Sequence, residues 1–498
     1  MTMSKIRSMR GFLASSIASS IGVACAAALA LPLPPPAAAV AATARQAPEG
    51  ARPAQVVAGS QLPGSTQSLP LAPIATLAPL TRNRALATVS APEMGLTRED
   101  VAHFSMVGVI WDDPAAELHG QVQVRTRATG KGAWTRWQNL QTHNDDGADP
   151  GSAERTSGRV RGSTAPLWVG DSDGVEVRVR AEGDRAAGKT ARGTRAVPAA
   201  SALPSGLRLE LVDPGGETST RGAALAVPYS GPTDAAQAAS LKTENAESEE
   251  SLAASAANAD LVPLGATVIP ALSRTATVRE LMALRGSKLT ASQHKKPYIG
   301  PRPRIITRRG WGANERLREK GFVYTKKVKA AFVHHTATGN GYRCSQAASV
   351  IRGIYRYHVK SMGWRDIGYN FLVDKCGNIY EGRAGGVAKA VKGAHTLGFN
   401  NNSMGIAVLG GFGSHKPPAA VLKAIARLTA WKLGLYGANP RGKTYLKSGG
   451  GNLYRKGKNV RLNVISGHRD GYATDCPGKQ LYRKLGTARS TAARYQGR

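Results

Sequence analysis

Ser466-Gly467-His468-Arg469-Asp470-Gly471-Tyr472-Ala473-Thr474-Asp475-Cys476-Pro477-Gly478 sets an imidazole and a thiol eight positions apart in a loop rich in turn formers. Far upstream, the apolar run Ala330-Ala331-Phe332-Val333-His334-His335-Thr336 ends in two more imidazoles. One histidine of that run, with His468 and Cys476, makes three nitrogen and sulfur donors. That is the ligand count of a catalytic zinc site with an open fourth position. On a buried strand His334 and His335 point to opposite faces, so a single metal takes only one of them. Two imidazoles and one thiolate neutralise the Zn2+ charge only in part, and such a centre hydrolyses amides, esters or phosphates.

The segments between these stretches read as a layered α/β domain. From Cys344 to Lys360 the apolar positions Ala347, Val350, Ile351, Ile354, Tyr355 and His358 share one helical face, which Gly363 stops. Residues 369–373 and 379–380 form a hairpin across Asp374-Lys375-Cys376-Gly377-Asn378. Residues 404–409 make another apolar strand and 418–435 another amphipathic helix. Strand, helix, hairpin, strand and helix predict a mixed central sheet flanked by helices over residues 301–498.

A chain of 498 residues exceeds one ordinary core. Its 67 Lys+Arg against 33 Asp+Glu give a net charge of +34, which attracts polyanions. The N-terminus narrows the choice of polyanion. Lys5, Arg7 and Arg10 precede an apolar run from Phe12 to Leu33, followed by the small-residue sites Ala39-Val40-Ala41 and Ala42-Thr43-Ala44. Residues 1–44 read as a secretory signal peptide. The run approaches the length of a membrane anchor, but Pro32, Pro34, Pro35 and Pro36 and the sites after them favour cleavage. A lipid anchor at Cys25 fits poorly, because Gly22-Val23-Ala24 lacks the large aliphatic residue expected before it. Export argues against nucleic acid and leaves anionic lipid or an anionic cell-wall polymer, with no stable membrane insertion after cleavage and a monomer expected. The Ala/Arg/Gly/Pro-rich composition fits a high-GC Gram-positive bacterium.

Export also sets the cysteine arithmetic. Cys25 leaves with the signal, and three cysteines are an odd number for an oxidising compartment. Cys344 and Cys376 lie in one local stretch and read as a disulfide. Cys476 reads as a metal-bound thiolate, since an exposed thiol outside the cell oxidises readily.

Upstream of this domain, residues 45–92 read as an Ala/Pro-rich disordered spacer. Residues 93–214 carry short alternating segments between Gly/Asp turns, including 104–111, 119–126, 175–180 and 207–212, and read as a β-sandwich-like accessory domain. Trp111, Trp134, Trp137 and Trp168 read as core in preference to a carbohydrate platform. Asp171-Ser172-Asp173-Gly174 reads as an acidic turn in preference to a calcium loop, which needs six or more oxygens. Residues 215–300, with an acidic patch at Glu244, Glu247, Glu249 and Glu250, read as a low-complexity linker that is weakly helical over 278–284.

From about Arg304 to Leu485 the sequence carries a string of ordered motifs: Arg309-Gly310-Trp311-Gly312-Ala313, Val333-His334-His335-Thr336-Ala337, Gly363-Trp364, Asp366-Ile367-Gly368-Tyr369-Asn370-Phe371, Tyr380-Glu381-Gly382-Arg383, Gly393-Ala394-His395, Asn402-Ser403-Met404-Gly405-Ile406 and Gly467-His468-Arg469-Asp470. Each is weak alone and the ordered set is specific. The stretch resembles the peptidoglycan recognition protein family, which shares its fold with zinc-dependent N-acetylmuramoyl-L-alanine amidases.

The resemblance implies zinc ligands at His334, His468 and Cys476, and so selects His334 over His335. It implies an active-site tyrosine at Tyr369, with Thr474 beside the metal and His395 near the groove. Members without amidase activity typically lack the cysteine ligand, which this chain keeps. The implied reaction is hydrolysis of the amide between N-acetylmuramic acid and L-alanine of the stem peptide. The alternatives are a non-catalytic peptidoglycan-binding protein and a secreted zinc hydrolase for another amide. One departure from the family pattern, Arg308 and Arg309 ahead of Trp311, touches the start of the domain and leaves the ligand positions unchanged.

Overall fold

The computed structural model describes residues 64–74, 93–130, 132–142, 146–182, 202–216 and 248–498. The signal-peptide segment 1–44, most of the expected spacer and residues 217–247 of the expected linker lie outside the described residues. No helix among the described residues is long and apolar enough to cross a membrane.

The N-terminal domain is antiparallel β-structure. Its strands are β1 (Ser65–Pro70), β2 (Ala72–Pro73), β3 (Glu93–Arg98), β4 (Phe104–Trp111), β5 (Gly120–Ala128), β6 (Gln138–Leu140), β7 (Gly162–Ser163), β8 (Leu167–Ala181) and β9 (Arg208–Asp213). The long strand β8 joins the two halves. Its first part pairs with β4, and its second part lies between β3 and β5, with register shifts at Phe104/Met106 and Arg127/Ala128. Side chains alternating along β4, β5, β8 and β9, among them Val107, Val109, Val122, Val124, Val177, Leu209 and Leu211, close the core.

Two expectations change here. Residues 65–73 fall in the expected spacer, yet β1 pairs with β9 along its whole length. Leu69 and Leu71, two apart, pack on this core, a short period-two signal that the Ala/Pro composition hid. The segment 171–174 is strand and not turn. Asp173 pairs with Arg127 at 2.8 Å and Asp171 faces His103 at 3.4 Å, so basic side chains answer both acids. Trp111 is buried as expected, whereas Trp137 stacks under Arg178, whose guanidinium lies 4.1 Å from the ring centre.

The C-terminal domain is built on a seven-stranded mixed sheet. It adds β10 (Val268–Ile269), β11 (Ile305–Ile306), β12 (Ala330–His335), β13 (Phe371–Val373), β14 (Ile379–Glu381), β15 (Ser403–Val408) and β18 (Ile465–Gly467), in the order β10-β11-β14-β13-β15-β12-β18. The remaining pair, β16 (Lys443–Lys447) and β17 (Asn459–Asn463), is a separate hairpin. Strand parity assigns the layers. Phe371, Val373, Ile406 and Val408 face the helices Ala419–Gly434 and Leu485–Gln496, while Leu372, Ala407 and Leu409 face the helix Ala347–Arg356. Cys344 and Cys376 form a disulfide that ties the start of that helix to the β13–β14 turn.

The expected linker is largely structured where it is described. Ser248, Ser273 and Thr290 cap the helices Glu249–Ala256, Arg274–Arg285 and Ala291–Lys295, the last through a capping box with Gln293. β10 joins the sheet beside β11, so the domain begins well before residue 301.

The two domains share one apolar core. Met106, Ile110, Val160 and Val212 pack with Val350, Ile351, Ile354 and Tyr357. The Tyr357 hydroxyl donates to the Thr164 carbonyl at 3.2 Å, and Gly108 leaves the space its ring fills: a Cβ there would lie 2.4 Å from the hydroxyl. An interface of this kind is core-like, unlike the polar contacts of loosely tethered domains.

The departure at Arg308 also finds its place. Its guanidinium is buried, donates to Glu315 at 2.6 Å and to Asp366 at 3.1 Å, and lies over the Trp311 and Tyr355 rings. Replacing it by leucine leaves buried Glu315 paired with Arg318 alone and buried Asp366 with only the Ile367 and Ala384 amides. Arg308→Leu is expected to cost about 3–5 kcal/mol in denaturant unfolding; a loss under about 1 kcal/mol would show that the network contributes little.

Candidate metal centre

Strand parity decides which histidine of the pair is available. Ala331 and Val333 face the helical layer, and His335 shares their side, where its Nδ1 accepts from the Phe412 amide at 3.3 Å. Ala330 and Phe332 face the opposite way, against Phe399 and the β16–β17 hairpin, and His334 follows them. β18 lies parallel to β12 with Gly467 opposite Val333, so His468 leaves the sheet beside His334, ring centres 4.4 Å apart. The loop then closes on itself. Arg469 N donates to the Cys476 carbonyl at 3.0 Å, and Asp470 accepts from Gly467 N at 2.9 Å.

The result is a convergence of donors. One donor atom each from His334, His468 and Cys476 lies within 4.8 Å of the others, and all three side chains are buried. Cys476 Sγ lies 3.7 Å from His334 Nδ1 and accepts from the His335 amide at 3.4 Å. Burial holds the His334 and His468 imidazoles down at about 3, so both are neutral donors near pH 7. Neither ring nitrogen of His468 makes a hydrogen bond. Buried nitrogen and sulfur donors of this kind suit zinc. A tetrahedral zinc site has nitrogen–sulfur edges of roughly 3.6 Å, close to the His334–Cys476 spacing.

Around these donors the structure arranges support. His334 Nε2 stands 3.3 Å from Thr396 Oγ1, which stands 3.0 Å from His395 Nδ1. A proton on His334 Nε2 donated to Thr396 leaves Nδ1 as the lone pair facing the centre, the tautomer that outer partners of metal-bound histidines impose. His395 therefore differs from its expected place near the groove. It is fully buried behind His334, and its ring fills the space a side chain at Gly405 would need. Thr474 accepts from Cys476 N at 3.2 Å and so shapes the turn that presents the thiol. Tyr369 is buried with its ring centre 5.5 Å from that of His334. Burial, followed by the charge of Asp146, holds its hydroxyl well above the usual range, so it is a donor at all ordinary pH.

Asp146 is the residue the sequence did not announce. It comes from the N-terminal domain, in the loop between β6 and β7. Its Oδ2 accepts from the Tyr369 hydroxyl at 2.6 Å. Its Oδ1 lies 2.9 Å from His334 Nδ1 and 3.4 Å from His468 Nδ1. Burial pushes this carboxyl up to about 6. Asp146 and Tyr472 also line a cavity of about 380 Å³ shared with Trp111 and Arg161 of the N-terminal domain and with Trp364.

Comparison with known proteins bears on both domains. Residues 324–479 match a family described as N-acetylmuramoyl-L-alanine amidase, and residues 56–201 match one described as Rv3811 N-terminal galactose-binding domain-like. Peptidoglycan-recognition protein SC2 of Drosophila melanogaster is 33% identical over 186 residues, which cover 37% of this chain and 85% of the relative. Peptidoglycan-recognition protein 1 of Holotrichia diomphalia is 33% identical over 186 residues, 37% of this chain and 79% of that protein. Among solved structures, peptidoglycan recognition protein-LE in complex with tracheal cytotoxin is 32% identical, covering 37% of this chain and 92% of that one, with a TM-score of 0.29. The accessory domain is thus galactose-binding-domain-like, and the C-terminal domain is of the amidase and peptidoglycan-recognition type.

Proposed function

We propose that this chain, which belongs to the peptidoglycan-recognition protein family, is a secreted bacterial zinc amidase that cleaves the bond between N-acetylmuramic acid and the L-alanine of a peptidoglycan stem peptide. The reading is carried by the buried convergence of His334, His468 and Cys476 within 4.8 Å. Zinc held there supplies a Lewis acid that activates water and polarises a carbonyl near neutral pH.

The chain's own residues do the rest. His334 and His468 are neutral because they are buried, and the His335 amide stabilises negative charge on Cys476. Tyr369 donates a hydrogen bond to the oxygen on which charge develops during attack. Thr396 and His395 fix the orientation of His334, and Thr474 fixes that of Cys476. Thr396→Val keeps the volume and removes the relay. Metal affinity in chelator competition is expected to fall roughly ten- to hundred-fold, whereas an unchanged affinity would contradict the relay.

The excess of 67 basic over 33 acidic residues supports retention on an anionic wall of teichoic acids and stem-peptide carboxylates. A second reading, recognition without catalysis, is favoured by one observation: His334, His468, Cys476 and Tyr369 are all buried, with Asp146 against the two histidines. Digesting purified peptidoglycan separates the two. Amidase action releases new L-alanine amino termini without new reducing sugars, and a recognition protein binds the wall and releases neither.

A further inference from the structure

The loop that follows β6 is built to hold Asp146 where it stands. Asp149 Oδ1 accepts from Gly398 N at 3.1 Å, Asn400 N at 3.1 Å and Asn400 Nδ2 at 2.9 Å, and its Oδ2 pairs with Lys392 at 3.2 Å. Asn400 Nδ2 also donates to the Gly147 carbonyl at 2.8 Å. Its Oδ1 accepts from the amides of His395 and Thr396, the residues behind His334. Glu154 completes the clasp with two bonds to Arg383, at 2.8 and 2.9 Å, both side chains buried. One asparagine thus seats both the incoming loop and the group that orients a metal donor.

The carboxyl is aimed as well as anchored. Tyr369 fixes Oδ2, and Oδ1 accepts no hydrogen bond although it stands 2.9 Å and 3.4 Å from two imidazole nitrogens. With His334 protonated on Nε2, Oδ1 and His334 Nδ1 are lone pairs facing each other. Such crowding of acceptors is relieved by a shared cation, and the spacings bracket the roughly 3.3 Å nitrogen–oxygen edge of a tetrahedral zinc site.

We propose that Asp146 is a fourth, protein-supplied donor to the metal held by His334, His468 and Cys476, so that the N-terminal domain closes the position a substrate carbonyl would take. The inference rests on the metal centre proposed above. It makes the described form a latent one, opened when the clasp through Asp149 and Glu154 lets go. His334, His468 and Cys476 are buried, with the Asp146 carboxyl against the two imidazoles, as such closure requires.

Cobalt(II) loaded into the full chain reports the fourth position through its visible spectrum, and azide serves as the competing ligand. The wild-type spectrum is expected to resist azide. Asp146→Ala should respond at azide concentrations at least about ten-fold lower, the lower end of what altered metal surroundings produce. Asp146→Asn, with folding checked by circular dichroism, guards against a misfolded alanine variant and should fall between the two. Equal azide sensitivity in all three proteins would overturn the role of Asp146 and leave the three-residue centre intact. Failure of the wild type to take up cobalt, or uptake undiminished by Cys476→Ser, would overturn the centre itself and this proposal with it.

Discussion

In the chain whose clasp is opened by Asp149→Ala and Glu154→Ala, Cys476→Ser is expected to bring amide hydrolysis on purified cell walls below detection, a loss of about a thousand-fold or more. The change is nearly isosteric, so packing is a poor explanation for such a loss. Cys476 is buried, accepts from the His335 amide and lies 3.7 Å from His334 Nδ1. A hydroxyl there stays protonated near neutral pH and is a far weaker zinc donor than a thiolate. The loss belongs in kcat and in metal content together, because the group acts by holding the ion. His468→Ala should behave alike, since neither ring nitrogen of the buried His468 makes a hydrogen bond that the substitution would break. Retained activity in either variant would remove the metal centre from the mechanism. The Cys344–Cys376 disulfide lies elsewhere in the domain and should be unaffected in both.

Tyr369→Phe is the second large effect, expected at roughly 10²–10³-fold in kcat, the scale for removing one donor to a developing oxyanion. Metal stoichiometry and KM should hardly move, because the hydroxyl acts on charge that appears only in the transition state. Asp146 adds a signature. Its Oδ2 accepts from Tyr369 at 2.6 Å, so losing the hydroxyl also removes one of the bonds that hold the carboxyl in place. Tyr369→Phe should therefore lower turnover while raising azide access to the cobalt form, two opposite changes from one oxygen. A drop in metal content equal to the drop in rate would instead make Tyr369 structural.

The three donors were legible because their signals are local or nearly so. His468 and Cys476 share one turn-rich loop, and a strand alternates its faces, so only one of His334 and His335 could serve. The choice between them depends on which layer lies on which side of the sheet. The family resemblance points to His334, and in the fold His334, on the Phe332 and Phe399 side of the strand, is the one that lies with His468 and Cys476. The helix Ala347–Arg356 and the hairpin after Tyr369 followed from apolar spacing for the same local reason.

The features that are not legible in the sequence are long-range or masked by composition. Asp146 meets Tyr369 across 223 positions, from a loop whose acids look like ordinary turn residues. The bonds that give them purpose, Asp149 with Asn400 and Glu154 with Arg383, join two domains. β1 was hidden by its Ala/Pro-rich surroundings, and the capped helices after residue 248 by a low-complexity neighbourhood. His395 was misplaced for another reason. A position close to the metal in sequence likeness can lie behind a donor as easily as in front of it, and only the buried relay through Thr396 tells the two apart.

The most direct test of the central claim is the mass of the products released from purified peptidoglycan by the full chain with its clasp opened by Asp149→Ala and Glu154→Ala, with and without a zinc chelator. The account predicts free stem peptides beginning with L-alanine beside intact glycan, lost with the chelator and restored by added zinc. Wall binding with no such products, from zinc-replete protein whose clasp has been released by Asp149→Ala and Glu154→Ala, would contradict it and leave recognition without catalysis.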